Sequence, residues 1–308
     1  MQRLADQPMD SAVASSTFIV EGSNVEERTE LVPSGDSWIF TCIDRPSRPA
    51  RGMVLICPSI YAEFVKNYRC EVLMARTLAA SDLVVGRFHY RGTGHSGDVE
   101  GPVTAASMID DARAAYEHIR RDAPQRATIL LGTRWGALIA ASLAAESPGS
   151  SVVLAEPIID IGQLVRDAMR SMAIRELRKG STSPASLGRQ DDIPVPTEGL
   201  HAVGYRIERP FFESAAGMNL GALVAAAHRS VLLIQIRRAS KPSPTFVSLA
   251  NDWRESGLEV GLRTIEEQVA WWLEPGLWNG GEERQSAQEL IANRLVELTV
   301  EWTMKVNA

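Results

Sequence analysis

The residue best placed to do chemistry in this sequence is an arginine. The stretch Thr128-Ile-Leu-Leu-Gly-Thr-Arg-Trp-Gly-Ala-Leu-Ile-Ala140 carries an apolar strand into a tight turn between Gly132 and Gly136 and out into an Ala-rich helix. That is the layout of a nucleophile elbow, G-x-S-x-G, whose small-residue turn raises one side chain at the carboxyl end of a parallel sheet. Here the raised residue is Arg134. A guanidinium stays protonated, so it neither attacks a carbonyl nor takes a proton, but its forked donors hold an anion. At the amino end of the elbow helix the dipole adds about half a positive charge, so Arg134 needs an anion beside it.

Two carboxylates are candidates for proximity to it, and two readings are open. Glu63 lies in the loop after the apolar run 52–58, and Glu156 closes the run 151–156. In one reading either carboxylate pairs with Arg134 as a buried salt bridge that plugs the site. In the other, Arg134 and the Trp135 backbone N–H receive a ligand carboxylate or an enolate-like oxyanion, and Glu63 or Glu156 is the general base. A carboxylate facing an arginine suits proton abstraction beside a carbonyl, as in epimerisation, isomerisation, elimination or cyclisation. The candidate catalytic residues are thus Glu63, Glu156 and Arg134. The candidate substrate contacts are Arg134, Trp135, Ser59, Tyr61, His95, Trp271 and Trp272.

Each of these has a plainer alternative. Ser59 follows the apolar run 52–58 and is a displaced nucleophile only if a base reaches it, and none is adjacent in sequence. His95 sits in a Gly-rich loop that can reach a pocket rim, whereas His89, His118 and His228 read as structural and His201 as a surface or packing residue. Trp271, Trp272 and Trp278, with Phe211 and Phe212, either line an aromatic pocket or pack. No His/Cys/Asp set has metal-ligand spacing, and neither metal nor cofactor is expected.

Composition narrows the partners. With 32 Lys and Arg against 38 Asp and Glu the net charge is −6, so no basic surface for nucleic acid is indicated. Cys42, Cys57 and Cys70 are odd in number and widely spaced, as expected of free thiols in a reducing compartment. The first residues lack the apolar core of a signal peptide, and no run approaches the roughly 18 apolar residues of a membrane span. A cytoplasmic protein acting on a small molecule or peptide is the expectation, with its oligomeric state open.

The elements that must position these residues alternate. Residues 1–15 read as a mobile tail, and two short antiparallel strands follow at 17–21 and 37–43. From 52 onward the pattern alternates: strands at 52–58, 83–90, 127–132 and 151–156, helices at 68–80, 103–121, 133–146 and 159–178. Residues 179–196 are rich in Gly, Ser, Pro and charge and read as a linker, and the stretch to about 227 as a partly helical insertion. Strand 230–236, helix 244–256, strand 258–263 and helix 284–305 close the chain. The expectation is an α/β fold, a mostly parallel sheet flanked by helices: core from 16 to 178, linker and cap from 179 to 227, core again from 228 to 308.

The loop Arg91-Gly-Thr-Gly-His-Ser-Gly97 and the elbow resemble the α/β-hydrolase superfamily. Pro58-Ser-Ile-Tyr-Ala-Glu-Phe-Val-Lys-Asn-Tyr-Arg69, Gly132-Thr-Arg-Trp-Gly-Ala-Leu138 and Glu156-Pro-Ile-Ile-Asp160 resemble more closely the hydrolase-like proteins associated with exosortase systems. The resemblance covers about residues 40–178 and implies an arginine at the elbow as a group trait. A serine hydrolase of that fold needs Ser at the elbow, an acid after a later strand and His after the last strand. Here the elbow holds Arg134, the stretch after Ile236 reads Arg237-Arg-Ala-Ser-Lys241, and no histidine follows His228. Ser-His-Asp hydrolysis is therefore not expected. What remains is an atypical cofactor-independent enzyme on an acyl or carboxylate-bearing molecule, an inactive relative that binds a ligand or partner, or an esterase with a displaced nucleophile.

Overall fold

The computed structural model of the chain describes residues 15–121, 123, 127–147, 149–178, 199–202, 204–226, 230–267 and 281–306. Along the chain lie β1 (Ser16–Ile19), β2 (Val25–Ser34), β3 (Ser37–Pro46), β4 (Gly52–Cys57), α1 (Tyr61–Ala80), β5 (Leu83–Phe88) and α2 (Ala105–Arg120). Then come β6 (Ala127–Thr133), α3 (Trp135–Glu146), β7 (Ser151–Ala155), α4 (Ile161–Arg178), β8 (Leu200–Ala202) and β9 (Tyr205–Ile207). The remainder is α5 (Arg209–Ala215), α6 (Leu220–Ala226), β10 (Ser230–Arg237), α7 (Pro244–Glu255), β11 (Glu259–Glu266) and α8 (Gly281–Val306).

Nine strands form one sheet in the order β1-β2-β3-β5-β4-β6-β7-β10-β11. The strands from β5 to β11 in that order pair in parallel, and β1, β2 and β3 extend the sheet antiparallel. The unbroken apolar runs mark strands covered on both faces: all six residues of β4 are buried. Alternate β4 residues divide between two cores. Met53 and Leu55 join Met108, Leu138 and Leu143 on one face, and Val54 and Ile56 join Met74, Leu78, Ile291 and Leu295 on the other.

This order places the site. From β4 the chain crosses to β5 on one side, and β6 pairs on the other. A crevice therefore opens at the carboxyl ends of β4 and β6, where the winding reverses. Glu63 follows β4 and Arg134 follows β6.

Several elements differ from the sequence pattern. Helix α1 begins at Tyr61, seven residues before the expected 68, so Tyr61 and Glu63 lie in its first turn and not in a loop. Its inward positions include Asn67 and Glu71, whose polarity interrupts the apolar spacing that signals a helix. Strand β2 has no alternating pattern because buried Glu27 is part of its inner face, held by Arg76 and Arg87. Within the stretch read as partly helical, a small hairpin of β8 and β9 precedes α5 and α6. All of the expected tail 1–15 but residue 15, and the linker at 179–196, lie outside the described residues. Among the described residues no helix is long and apolar enough to cross a membrane.

Candidate functional site

Two close approaches make the elbow. A Cβ on Gly132 would lie 2.2 Å from the Gly136 carbonyl oxygen, and one on Gly136 would lie 2.1 Å from that of Cys57. Only glycine lets β6 turn into α3 against β4 in this way. Between them Arg134 caps α3 with φ 54° and ψ −117°, a strained conformation for a residue with a side chain. Main-chain bonds hold it there: its N–H donates to Ala155 O at 3.1 Å, and its carbonyl accepts from Ala137 and Ile158 at 3.1 and 3.2 Å.

The Arg134 side chain is buried, and its fork is occupied. Nε and Nη2 donate to the Glu63 carboxylate at 3.3 and 3.2 Å. Nη2 also reaches Asp167 Oδ2 on α4, and Nη1 lies 3.5 Å from the Glu156 carbonyl oxygen. Burial opposes the guanidinium charge, but Glu63 and Asp167 outweigh it and hold Arg134 above its ordinary pKa. Burial also raises the Glu63 carboxyl, with Asp167 adding to the effect and Arg134 opposing it. Asp167 carried no signal in the sequence, because an acid on an amphipathic helix reads as part of its solvated face.

Glu156 offers Arg134 its carbonyl at 3.5 Å, and its carboxylate is bonded elsewhere and acts on Arg134 through charge. Its Oε2 accepts from the Ile236 N–H at 2.7 Å, and its own N–H donates to Ile234 O at 2.7 Å, so it is fastened to β10. Burial raises its carboxyl to about 7, against the Ile236 N–H and the Arg134 and Arg237 charges. Tyr61, Arg134 and Glu156 share an unusual backbone: φ is 54°, 54° and 43° at the carboxyl ends of β4, β6 and β7. Strain of this kind gathers where surrounding structure fixes a site.

Ser59 is fully buried, in a polar network that sequence reasoning did not foresee. Asn67 Nδ2 donates to Ser59 Oγ at 2.9 Å, and Ser59 Oγ lies 3.1 Å from Thr133 Oγ1. Glu71 Oε1 accepts from Thr133 Oγ1 at 3.3 Å and from the Ser59 N–H at 3.5 Å. Burial pushes the Glu71 carboxyl up to about 7. The available signal was an Asn and a Glu on the inward face of α1.

The histidines lie among other partners. His95 is exposed; its ring stacks on His89 at 5.4 Å, and its N–H donates to His89 Nδ1 at 3.0 Å. Burial, with His95 and Arg87 adding to it, lowers His89 to about 3. His118 bonds Glu30 at 2.6 Å, and His201 is exposed. Trp135 is buried with its ring 5.0 Å from Phe211, and Phe211 and Phe212 are core residues. His228, Trp271, Trp272 and Trp278 lie outside the described residues.

One group among the described residues has metal-binding composition: Glu27, Cys42 and Asp44. The Arg87 guanidinium already fills it, 2.9 Å from Cys42 Sγ, 3.1 Å from Glu27 and 3.4 Å from Asp44. A second cation there would meet that charge at close range.

Two cavities flank the start of α1. The smaller, about 40 Å³, is lined by Glu63 and Lys66 of α1, Leu164 and Ser171 of α4, and Ile207 of β9. That is room for a few waters. The larger, about 440 Å³, lies on the other side of Tyr61, and neither Arg134 nor Glu63 lines it.

Residues 48–184 match the family model of the serine aminopeptidases, S33. No curated protein matches the sequence. Among solved structures, Est1E from Butyrivibrio proteoclasticus superposes with a TM-score of 0.56 at 13% identity, over 89% of this chain and 98% of that one. The chain has the α/β-hydrolase fold. The proline iminopeptidase of Mycobacterium smegmatis gives 0.53 at 12% identity, over 88% of this chain and 99% of that one. The Pyrococcus horikoshii acylaminoacyl peptidase also gives 0.53 at 12% identity, over 92% of this chain and 42% of that one. In this α/β-hydrolase fold, β6, the turn and α3 are the elbow. The elbow residue is an arginine whose charge is met from within the protein.

Proposed function

We propose that this α/β-hydrolase fold has no serine hydrolase chemistry and works as a binding protein for a small molecule or peptide. The observation that carries the reading is the filled fork of Arg134. Glu63 and Asp167 supply the anion that a ligand would otherwise bring. The adjoining cavity, about 40 Å³, is small and has Glu63 itself in its wall. The only serine bonded beside the elbow, among the described residues, is Ser59, whose partners are Asn67, Thr133 and Glu71 and no histidine. The loop Pro58–Arg69 and the elbow Gly132–Leu138 support placing the chain with the exosortase-associated hydrolase-like proteins, and the stretch 199–226 supports a small cap above the core.

A fluorophosphonate probe tests this. The chain is expected to remain unlabelled, and labelling that disappears in Ser59→Ala would overturn the reading.

A second reading, proton transfer beside a carbonyl, is favoured by Glu63 and Glu156. Burial raises both carboxyls, and Glu156 titrates at about 7, where an acid–base group works well near neutral pH. In that case the chain exchanges the α-hydrogens of an acyl amide with deuterium in D2O. The loss of this exchange in Glu63→Gln or Glu156→Gln supports it, and no exchange by the unaltered chain rules it out for that substrate class.

A further inference from the structure

We propose that the cavity beyond Tyr61 is a ligand site for an uncharged amphiphile: an apolar body of about eight carbons ending in a group that both donates and accepts, such as an amide. This rests on the binding reading above, for which it supplies the site. The cavity measures about 440 Å³, within the roughly 300–1,000 Å³ of small-molecule pockets. An eight-carbon amide has ten non-hydrogen atoms, which at a water-like share of about 30 Å³ each take about 300 Å³.

The walls define the body of the ligand. Phe64 and Val65 of α1, Met108 of α2 and Tyr205 of β9 line the cavity. Val65 is 62% exposed and Tyr205 37% exposed, so apolar surface here faces the opening. Tyr61 lines both this cavity and the small one at Glu63, and so forms the wall between them. Its ring is braced at 5.7 Å from Tyr205 and 5.9 Å from Phe211, and its backbone is set at φ 54°. A bound apolar group therefore stops at Tyr61, short of the Arg134 cluster.

The rim defines the head group. Arg206 and Glu208 line the same cavity and pair at 3.4 Å, both substantially exposed. Charge there is balanced. An anionic head would have to compete with Glu208 for Arg206, and a cationic head with Arg206 for Glu208. A neutral amide accepts from the guanidinium and donates to the carboxylate with the pair kept.

Calorimetric titration with octanamide, octanoate and octylammonium, which share one tail, tests the inference. Octanamide is expected to bind at least about tenfold more tightly than either ion. Val65→Trp, at an exposed position, is expected to weaken octanamide about tenfold or more with the melting temperature retained. Thr93→Phe, in the Gly-rich loop that also lines the cavity, is expected to do the same and decides the matter if the first variant does not fold. Absence of octanamide binding at millimolar concentration, an ion that binds as tightly, or affinity unchanged in both variants overturns the inference. A chain that labels with fluorophosphonate yet binds octanamide in this cavity overturns the proposed function and leaves this site standing.

Discussion

The carboxylate of Glu63 lies 3.2 Å from Nη2 of Arg134, so the first turn of α1 neutralises the residue raised by the elbow. Asp167 approaches the same nitrogen from α4. Three elements distant in sequence thus share one charge cluster, two carboxylates on one guanidinium, so loss of Arg134 strands both acids whereas loss of one acid leaves Arg134 paired with the other. Glu63→Ala removes the bonds from Nε and Nη2 and is expected to lower stability by about 2 kcal/mol, the cost of losing hydrogen bonds to a charged group. Urea unfolding measures it, and a loss under about 1 kcal/mol would show that Asp167 alone suffices.

A serine placed at the elbow is not expected to create hydrolase activity. Arg134→Ser places a hydroxyl at the elbow, but no histidine bonds to that turn among the described residues, and the sequence has none after His228. Without a base the hydroxyl stays a weak nucleophile. Hydrolysis of p-nitrophenyl acetate by Arg134→Ser is expected to match the unaltered chain within about twofold. The variant also strands Glu63 and Asp167 beside each other, so a lower melting temperature is expected.

The elbow glycines tolerate no side chain. In Gly136→Ala the new Cβ would meet the Cys57 carbonyl at 2.1 Å and the Pro58 carbonyl at 2.6 Å, both backbone atoms that cannot swing aside. The expected result is a loss of about 3 kcal/mol or more, or failure to fold, read by circular dichroism. Gly257→Ala, with open space around it but φ 87°, is expected to cost about 1 kcal/mol through backbone strain alone.

Stability should fall as pH rises through the range set by Glu71. Its carboxyl titrates at about 7 in the fold against an ordinary 4.5, so between these values the folded chain holds more protons than the unfolded one. The contribution is complete below 4.5 and lost above about 7, worth up to about 3 kcal/mol. Glu71→Gln keeps an acceptor for Ser59 and Thr133 and is expected to flatten this part of the curve. Urea midpoints from pH 4.5 to 7.5 measure it, and an unchanged slope would show that Glu71 does not titrate there. Glu156 and Asp44, also near 7, and Glu63, also raised, act with the same sign, so Glu71→Gln reduces the slope without abolishing it.

The sequence alone determined what local pattern can carry. The unbroken apolar run 52–58 and the strands 127–132 and 230–236 alternating with helices announced a parallel sheet, and Gly132 and Gly136 announced a tight turn. Arg134 in the raised position, with the basic stretch 237–241 after Ile236 and no histidine beyond His228, announced an elbow that presents a cation. These are properties of single segments, readable from side-chain type and period.

Only the tertiary structure decided what that cation meets. Glu63 and Arg134 are 71 residues apart, and Asp167 is a further 33 beyond, on a helix where acids are commonly solvated. The sequence offered Glu156 on equal terms with Glu63. The fold bonded its carboxylate to the Ile236 N–H and set its carbonyl 3.5 Å from Arg134 Nη1. The buried Ser59–Asn67–Glu71–Thr133 network was hidden for a related reason: polar residues on the inward face of α1 break the period by which a helix is recognised. Which charges lie together in a low-dielectric interior depends on strand order and helix placement, and these follow from packing of the whole chain.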